Sequence, residues 1–141
     1  MQNLINIFRD RIVLDTDVVS FIYKEKTQAK FFYPHLQNRV IAVSFISIGE
    51  LFHGAYHDNW GENRMLSLER HLENYLILEY DYPVCLRWAA IKHECEQNGH
   101  PISDSDCWIA ACAMHHHCSL ATNNTRHFNH VNGLSLITPD I

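Results

Sequence analysis

Basic residues are scarce in this chain. Eleven Lys and Arg stand against sixteen Asp and Glu, a formal charge of −5 with His neutral. A protein that coats nucleic acid by charge alone needs the opposite balance, so that class is excluded, while an enzyme with a local acidic site is not. Charged residues of both signs make up only 19% against 47% apolar, which excludes a disordered tail and leaves enough apolar side chains for a core. Long hydrophobic runs are missing: nothing approaches the roughly 18 consecutive apolar residues of a membrane span. A secretory leader is not expected either, because Met1 to Arg11 is broken by Asn3, Asn6, Arg9 and Asp10. Paired cysteines are also lacking. The five, at 85, 95, 107, 112 and 118, are odd in number and form no C-x-x-C, which reads as reduced, mostly buried thiols in a cytoplasmic protein. There is no internal repeat, low-complexity tract or linker, and 141 residues fit one domain, 1–141.

What the chain does have is acids at the ends of apolar elements. Asp15 closes Ile12-Val13-Leu14, Glu50 sits in Ile46-Ser47-Ile48-Gly49-Glu50-Leu51, and Asp106 lies in Ile102-Ser103-Asp104-Ser105-Asp106 before Cys107-Trp108-Ile109-Ala110-Ala111. Thr122-Asn123-Asn124 follows the apolar pair Leu120-Ala121. Carboxylates that converge repel one another, so convergence implies a bound cation. Oxygen ligands without paired Cys or His favour magnesium or manganese. Such a cation beside a phosphodiester supplies hydrolysis or transfer.

The order of elements supports convergence. Arg11 to Leu14, Val40 to Val43, Tyr75 to Tyr80, Ser119 to Thr122 and Leu134 to Ile137 read as strands. Helical segments are expected over 17–23, 28–36, from a Ser44 or Ser47 cap to about Tyr56, over 64–74, over 82–97 and from Asp104 to about His117. His57 to Asn63 reads as a polar loop. In the 82–97 helix, Val84, Trp88, Ile91 and Cys95 share a face, and Gly99 and Pro101 end it. The helix from Asp104 is apolar all round and should be central. Strands alternating with helices imply an α/β fold with a mainly parallel sheet, whose sites lie beyond the carboxyl ends of strands.

Each acid also has an ordinary local explanation. Asp15 suits a turn or helix N-cap. Ser47-Ile48-Gly49-Glu50 fits a capping box, and so does Ser103-Asp104-Ser105-Asp106; Asp104 and Asp106 both suit the positive end of a helix. Among eleven His, three run consecutively at 115–117. Cys112 with His116, or His115 with Cys118, crowd one helix end rather than forming the two spaced pairs of structural zinc, so zinc is not favoured.

These segments, with Thr125-Arg126-His127-Phe128, resemble the PIN-domain ribonucleases, and among them the small VapC-type toxins of bacterial toxin–antitoxin pairs. The likeness runs from about Ile12 to Ile137. It implies a single PIN-like domain with a central, mainly parallel five-stranded sheet flanked by helices, and a Mg²⁺-dependent endoribonuclease, with Mn²⁺ able to substitute. It places Asp15, Glu50 and Asp106 in the family's acidic triad and Asn124 where many members carry a fourth Asp. Asp15 and Asp106 are then the direct metal ligands. Glu50 binds metal through water or orients the attacking water, and Asn124 bonds a metal water or a phosphate oxygen. Thr122 supports a carboxylate, and Arg126 is the candidate phosphate contact. His127 departs from the pattern where an acid often precedes the Phe, and Asp17 is an extra acid. The partners implied are RNA, a small VapB-like antitoxin whose basic side chain approaches Asp15 and Asp106, and a second copy in a homodimer, for which Trp60 and Tyr56 are available surface aromatics. Specificity would reside in loops such as Lys24 to Lys30 and His57 to Arg64. Two other readings stay open here. Asp15-Thr16-Asp17-Val18-Val19 also fits a HAD-type phosphatase, with Asp15 as nucleophile and Asp17 as acid/base, although no Lys follows Lys92. The third is a catalytically inactive PIN-like binding module.

Overall fold

The computed structural model describes residues 11–139; the leader reading of Met1 to Asp10 lies outside the described residues. Five strands, β1 (Arg11–Leu14), β2 (Val40–Ser44), β3 (Leu76–Leu78), β4 (Ser119–Ala121) and β5 (Leu136–Ile137), form one sheet in the order β3-β2-β1-β4-β5. Every pairing is parallel. Among the described residues seven helices connect and flank the strands: α1 (Thr16–Tyr23), α2 (Ala29–Leu36), α3 (Phe45–His57), α4 (Glu62–Leu72), α5 (Tyr82–Gln97), α6 (Asp104–His115) and α7 (Thr125–Phe128).

The continuous apolar run of β1 follows from burial on both faces. Ile12 and Leu14 point into one core with Val18, Val19, Phe32, Val43, Leu68 and Leu72. Val13 points the other way, with Ala42, Leu120 and the inner faces of α5 and α6. On α5, Val84, Ile91 and Cys95 are buried and Trp88 packs half-covered against Trp108. The α6 helix is as central as its composition requires: Cys107 and Ile109 to Ala113 are fully buried, and the small side chains at 110, 111 and 113 permit close approach to α5. No helix among the described residues is long and apolar enough to cross a membrane.

Two local expectations are corrected, and one element was not anticipated. The strand expected over Tyr75 to Tyr80 is only Leu76–Leu78, because it pairs on one side alone, with β2 at the sheet edge. The loop expected over His57 to Asn63 is shorter, since α4 begins at Glu62 behind Gly61. The four-residue α7 had no periodic signal to announce it.

The topology sets the position of the site. After β1 the chain moves to β2 on one side, and later returns to place β4 on the other. The carboxyl ends of β1 and β4 therefore flank the point where strand order reverses, the usual crevice of parallel sheets. Asp15 follows β1, Thr122 and Asn124 follow β4, and the Asp15 N–H donates across the gap to the Ala121 carbonyl at 2.9 Å.

Candidate active site

Asp15 is 4% exposed and caps α1: its Oδ1 accepts from the Thr16 N–H at 2.8 Å. The N-cap explanation is thus correct and does not exhaust the residue. Its Oδ2 accepts from the Thr122 hydroxyl at 2.8 Å, and Thr122 Oγ1 in turn accepts from the Asn124 N–H at 2.9 Å. Fully buried Thr122 therefore ties the end of β4 to the end of β1 and fixes the carboxylate plane. Burial pushes the Asp15 carboxyl up from 3.8 to about 6; the charges of Asp17 and Asp106 push the same way, against the two hydrogen bonds.

Glu50 is held otherwise than the capping-box reading expected. Ser44 caps α3, receiving the Ser47 N–H, so Ser47 is inside the helix and Ser47-x-x-Glu50 is no capping box. One turn further on, Glu50 Oε1 accepts from the Thr16 hydroxyl at 2.7 Å, and Thr16 Oγ1 also lies 2.7 Å from Ser47 Oγ. Because a carboxylate only accepts, the Ser47 hydroxyl donates to Thr16 and Thr16 donates to Glu50. That chain leaves Oε2 of Glu50 without a partner among the described residues.

Asp106 is the third residue of α6, and its N–H donates to the capping Ser103 at 3.1 Å, as the box pattern required. Its carboxylate faces His127, with Oδ2 3.1 Å from Nδ1. Burial raises its pKa, Glu50 adds to the rise, and Ser103 and His127 oppose it. Asp104 does not join the site. It pairs with Lys92 at 2.9 Å, while Lys92 Nζ also donates to the Ile102 carbonyl. Lys92 is thereby engaged by Asp104 and Ile102, and among the described residues no Lys lines the cleft that holds Asp15.

One cleft of about 220 Å³ gathers these groups: Asp15, Thr16, Asp17, Glu50, Ser103, Ser105, Asp106, Asn124 and His127 line it. Four carboxylates face one space with no Lys or Arg in its wall. The proposed Asn124 contact is modified, since Asn124 Nδ2 donates to Asp17 Oδ2 at 2.6 Å, leaving one amide hydrogen and the carbonyl for anything in the cleft. Asp17, whose role the sequence left undefined, thus belongs to the wall. Arg126 does not: it lines an adjoining cleft that shares Ser103, Asp106 and His127 with this one. Ser105 was not anticipated, and its buried hydroxyl has no hydrogen-bond partner. Only its position between Asp104 and Asp106 could have drawn attention to it.

The donor set suits a hard divalent cation. Uncompensated carboxylates, two with raised pKa, and an orphaned hydroxyl are what a hydrated cation satisfies. Among the described residues no three acids, His or Cys converge as a ready-made metal cage. That is compatible with magnesium, which keeps several waters and takes one or two carboxylates. At the end of α6, burial pushes the Cys112 thiol up to about 12 and the Cys118 thiol to about 11, which disfavours the thiolates a zinc site needs. Cys95, Cys107, Cys112 and Cys118 are free and buried, with Cys85 half-buried, as expected.

Comparison with known proteins agrees with the fold. Residues 12–134 match the family description of the PIN domain. Ribonuclease VapC1 of Haemophilus influenzae is 27% identical over 124 residues, covering 86% of this chain and 92% of that protein. The tRNA(fMet)-specific endonuclease VapC of Shigella flexneri is 27% identical over 124 residues, covering 88% and 94%. Among solved structures, VapBC-1 from nontypeable Haemophilus influenzae superposes with a TM-score of 0.80 at 25% identity, covering 91% of this chain and 97% of that one.

Proposed function

The chain belongs to the PIN-domain family, and from that premise we propose that it is a VapC-type, Mg²⁺-dependent endoribonuclease, one domain over 1–141, working in the cytoplasm. The observation that carries the reading is the cleft at the β1–β4 switch point, where Asp15, Asp17, Glu50 and Asp106 meet without a Lys or Arg. Relatives named as VapC ribonucleases over most of the chain support the substrate class.

Asp15 and Asp106 would hold the cation, Mg²⁺ or Mn²⁺. Bound there, it supplies a Lewis acid that neutralises charge at the phosphodiester and eases deprotonation of water. The protein's own part is orientation. Thr122 and the Thr16 N–H fix Asp15. Thr16 fixes Glu50 through one oxygen, so that the other can orient the attacking water and take its proton. Asn124 keeps one amide hydrogen for a phosphate oxygen or a water. No covalent nucleophile is required.

The solved VapBC assemblies support a partner of the same kind: a small VapB-like antitoxin placing an Arg or Lys over the acids. Charge complementarity makes its association fast and salt-sensitive. A homodimer is proposed too. Tyr56, 72% exposed, remains available for it, but Trp60 is half-covered by Tyr23 and by the Arg64 guanidinium 3.8 Å from its ring centroid. The test is incubation of the purified protein with total RNA, with Mg²⁺ or with EDTA. Cleavage only with Mg²⁺, leaving 5′-phosphate and 3′-hydroxyl ends, is expected. Ends bearing 2′,3′-cyclic phosphate would point to attack by the ribose hydroxyl and contradict the mechanism.

A further inference from the structure

Beside the acidic cleft lies a larger one, about 490 Å³, walled by residues that include His100, Arg126, His127 and His130. The two clefts meet at Ser103, Asp106 and His127. The rings of His100 and His130 stack face to face, centroids 3.6 Å apart and 1° from parallel. The fold builds this pair from two places. Gly99, at φ +75, turns the end of α5 so that the His100 N–H reaches the Cys95 carbonyl at 2.9 Å. The Cys95 thiol also meets the His130 carbonyl at 3.9 Å, just beyond α7. Both histidines stay exposed although each ring covers the other. No hydrogen bond or ion pair engages either ring or the Arg126 guanidinium among the described residues.

We infer that this cleft is a substrate subsite, in which an unpaired RNA base stacks on the His100–His130 pair while Arg126 holds a flanking phosphate. The inference rests on the ribonuclease reading and extends it to how the strand is held. RNA cannot be attracted by the acids of the neighbouring cleft, and the chain as a whole is negative. A polyanion therefore needs a local cationic and aromatic grip next to the cutting site. Imidazole rings and a guanidinium are the groups that stack on splayed bases and pair with phosphates. The volume is within the roughly 300–1,000 Å³ of ligand pockets, and continuity at Asp106 puts the next phosphodiester of the same strand among the acids. A purely structural stack, pinning the α5 end to the loop after α7, would instead need no ligand.

The test uses mixed-sequence single-stranded RNA and the full chain in EDTA, so that binding is read without cleavage. The double variant His100→Ala/His130→Ala should raise Kd about tenfold, the usual cost of removing a stacking platform. His100→Phe/His130→Phe should stay within about twofold of wild type, since the platform survives. Unchanged affinity in a folded Ala variant, or equal loss in the Phe variant, overturns the subsite. Diethyl pyrocarbonate footprinting of wild type makes the same decision if the Ala variant does not fold. RNA should slow modification of His100 and His130 but not of exposed His117, at the opposite end of β4 from the clefts, and equal protection at all three, or none, overturns the proposal. A wild type that cleaves RNA yet shows no protection removes the subsite alone. A wild type that neither binds RNA in EDTA nor cleaves it with Mg²⁺ removes the ribonuclease reading as well.

Discussion

The two clefts that share Asp106 are chemical opposites. In one, the carboxylates of Asp15, Glu50 and Asp17 are each tied to a hydroxyl or an amide, and the charge they carry has no cation to meet it. In the other, Arg126 and two stacked imidazoles carry no polar side-chain partner among the described residues. The first is pre-organised at a cost in stability, as the raised pKa of Asp15 records; the second is left open. Under the proposed function the contrast separates two tasks, holding a cation for chemistry and holding a strand for position. It also predicts which substitutions change kcat and which change KM.

The largest effect should come from the acidic side. Asp15→Asn or Asp106→Asn should lower Mg²⁺-dependent cleavage of RNA by about a hundredfold or more, a loss typical of removing a group that stabilises the transition state, while circular dichroism stays native. Either variant cutting at the wild-type rate would break the assignment. Glu50→Gln should lose most activity as well. Because Ser44, not Ser47, caps α3, its melting temperature should hardly move. An unfolded Glu50→Gln protein would show that its role is structural.

Next comes stability against pH. The folded-state carboxyl of Asp15 titrates at about 6 against an ordinary 3.8. The folded protein therefore holds this proton more tightly than the unfolded chain. Stability from the group is full below about pH 4 and is lost as pH rises through about 6, by up to about 3 kcal/mol. Metal-free Asp15→Asn should accordingly gain on wild type by urea unfolding at pH 8 more than at pH 4.5. An equal difference at both pH values would mean that the carboxyl is not desolvated.

The smallest effect should lie on the basic side. Arg126→Ala should raise KM a few-fold and leave kcat within about twofold, as for a group that binds ground and transition states alike. A kcat loss as large as that of Asp15→Asn would erase the distinction between the clefts.

Much of this division was legible in the sequence because its signals are local and periodic. The apolar run Ile12-Val13-Leu14 identified a strand buried on both faces, and the all-round apolar stretch after Asp106 identified the central helix. Asp15, Glu50, Asp106 and Asn124 could be picked out because acids and amides stand where elements begin or end, and the fold brings all four to one cleft. What stayed hidden depends on side-chain direction and on contacts distant in sequence. Ser47-x-x-Glu50 imitates a capping box, but the chain enters the helix three residues earlier, at Ser44. The Thr16–Glu50 bond spans 34 residues, and the Asn124–Asp17 bond 107. Arg126 follows Asn124 by only two residues yet lines the neighbouring cleft. His100 and His130 lie in separate loops, and no pattern in either announces that their rings meet.

The central claim is that the acids at the β1–β4 switch point hold a divalent cation. Calorimetric titration of the purified protein with Mn²⁺ at pH 8 tests it most directly, with Asp15→Asn and Asp106→Asn alongside. Wild type should bind saturably, and both variants should lose binding or weaken it by at least about tenfold. A wild type that binds no Mn²⁺, or variants that bind it as tightly as wild type, would contradict it.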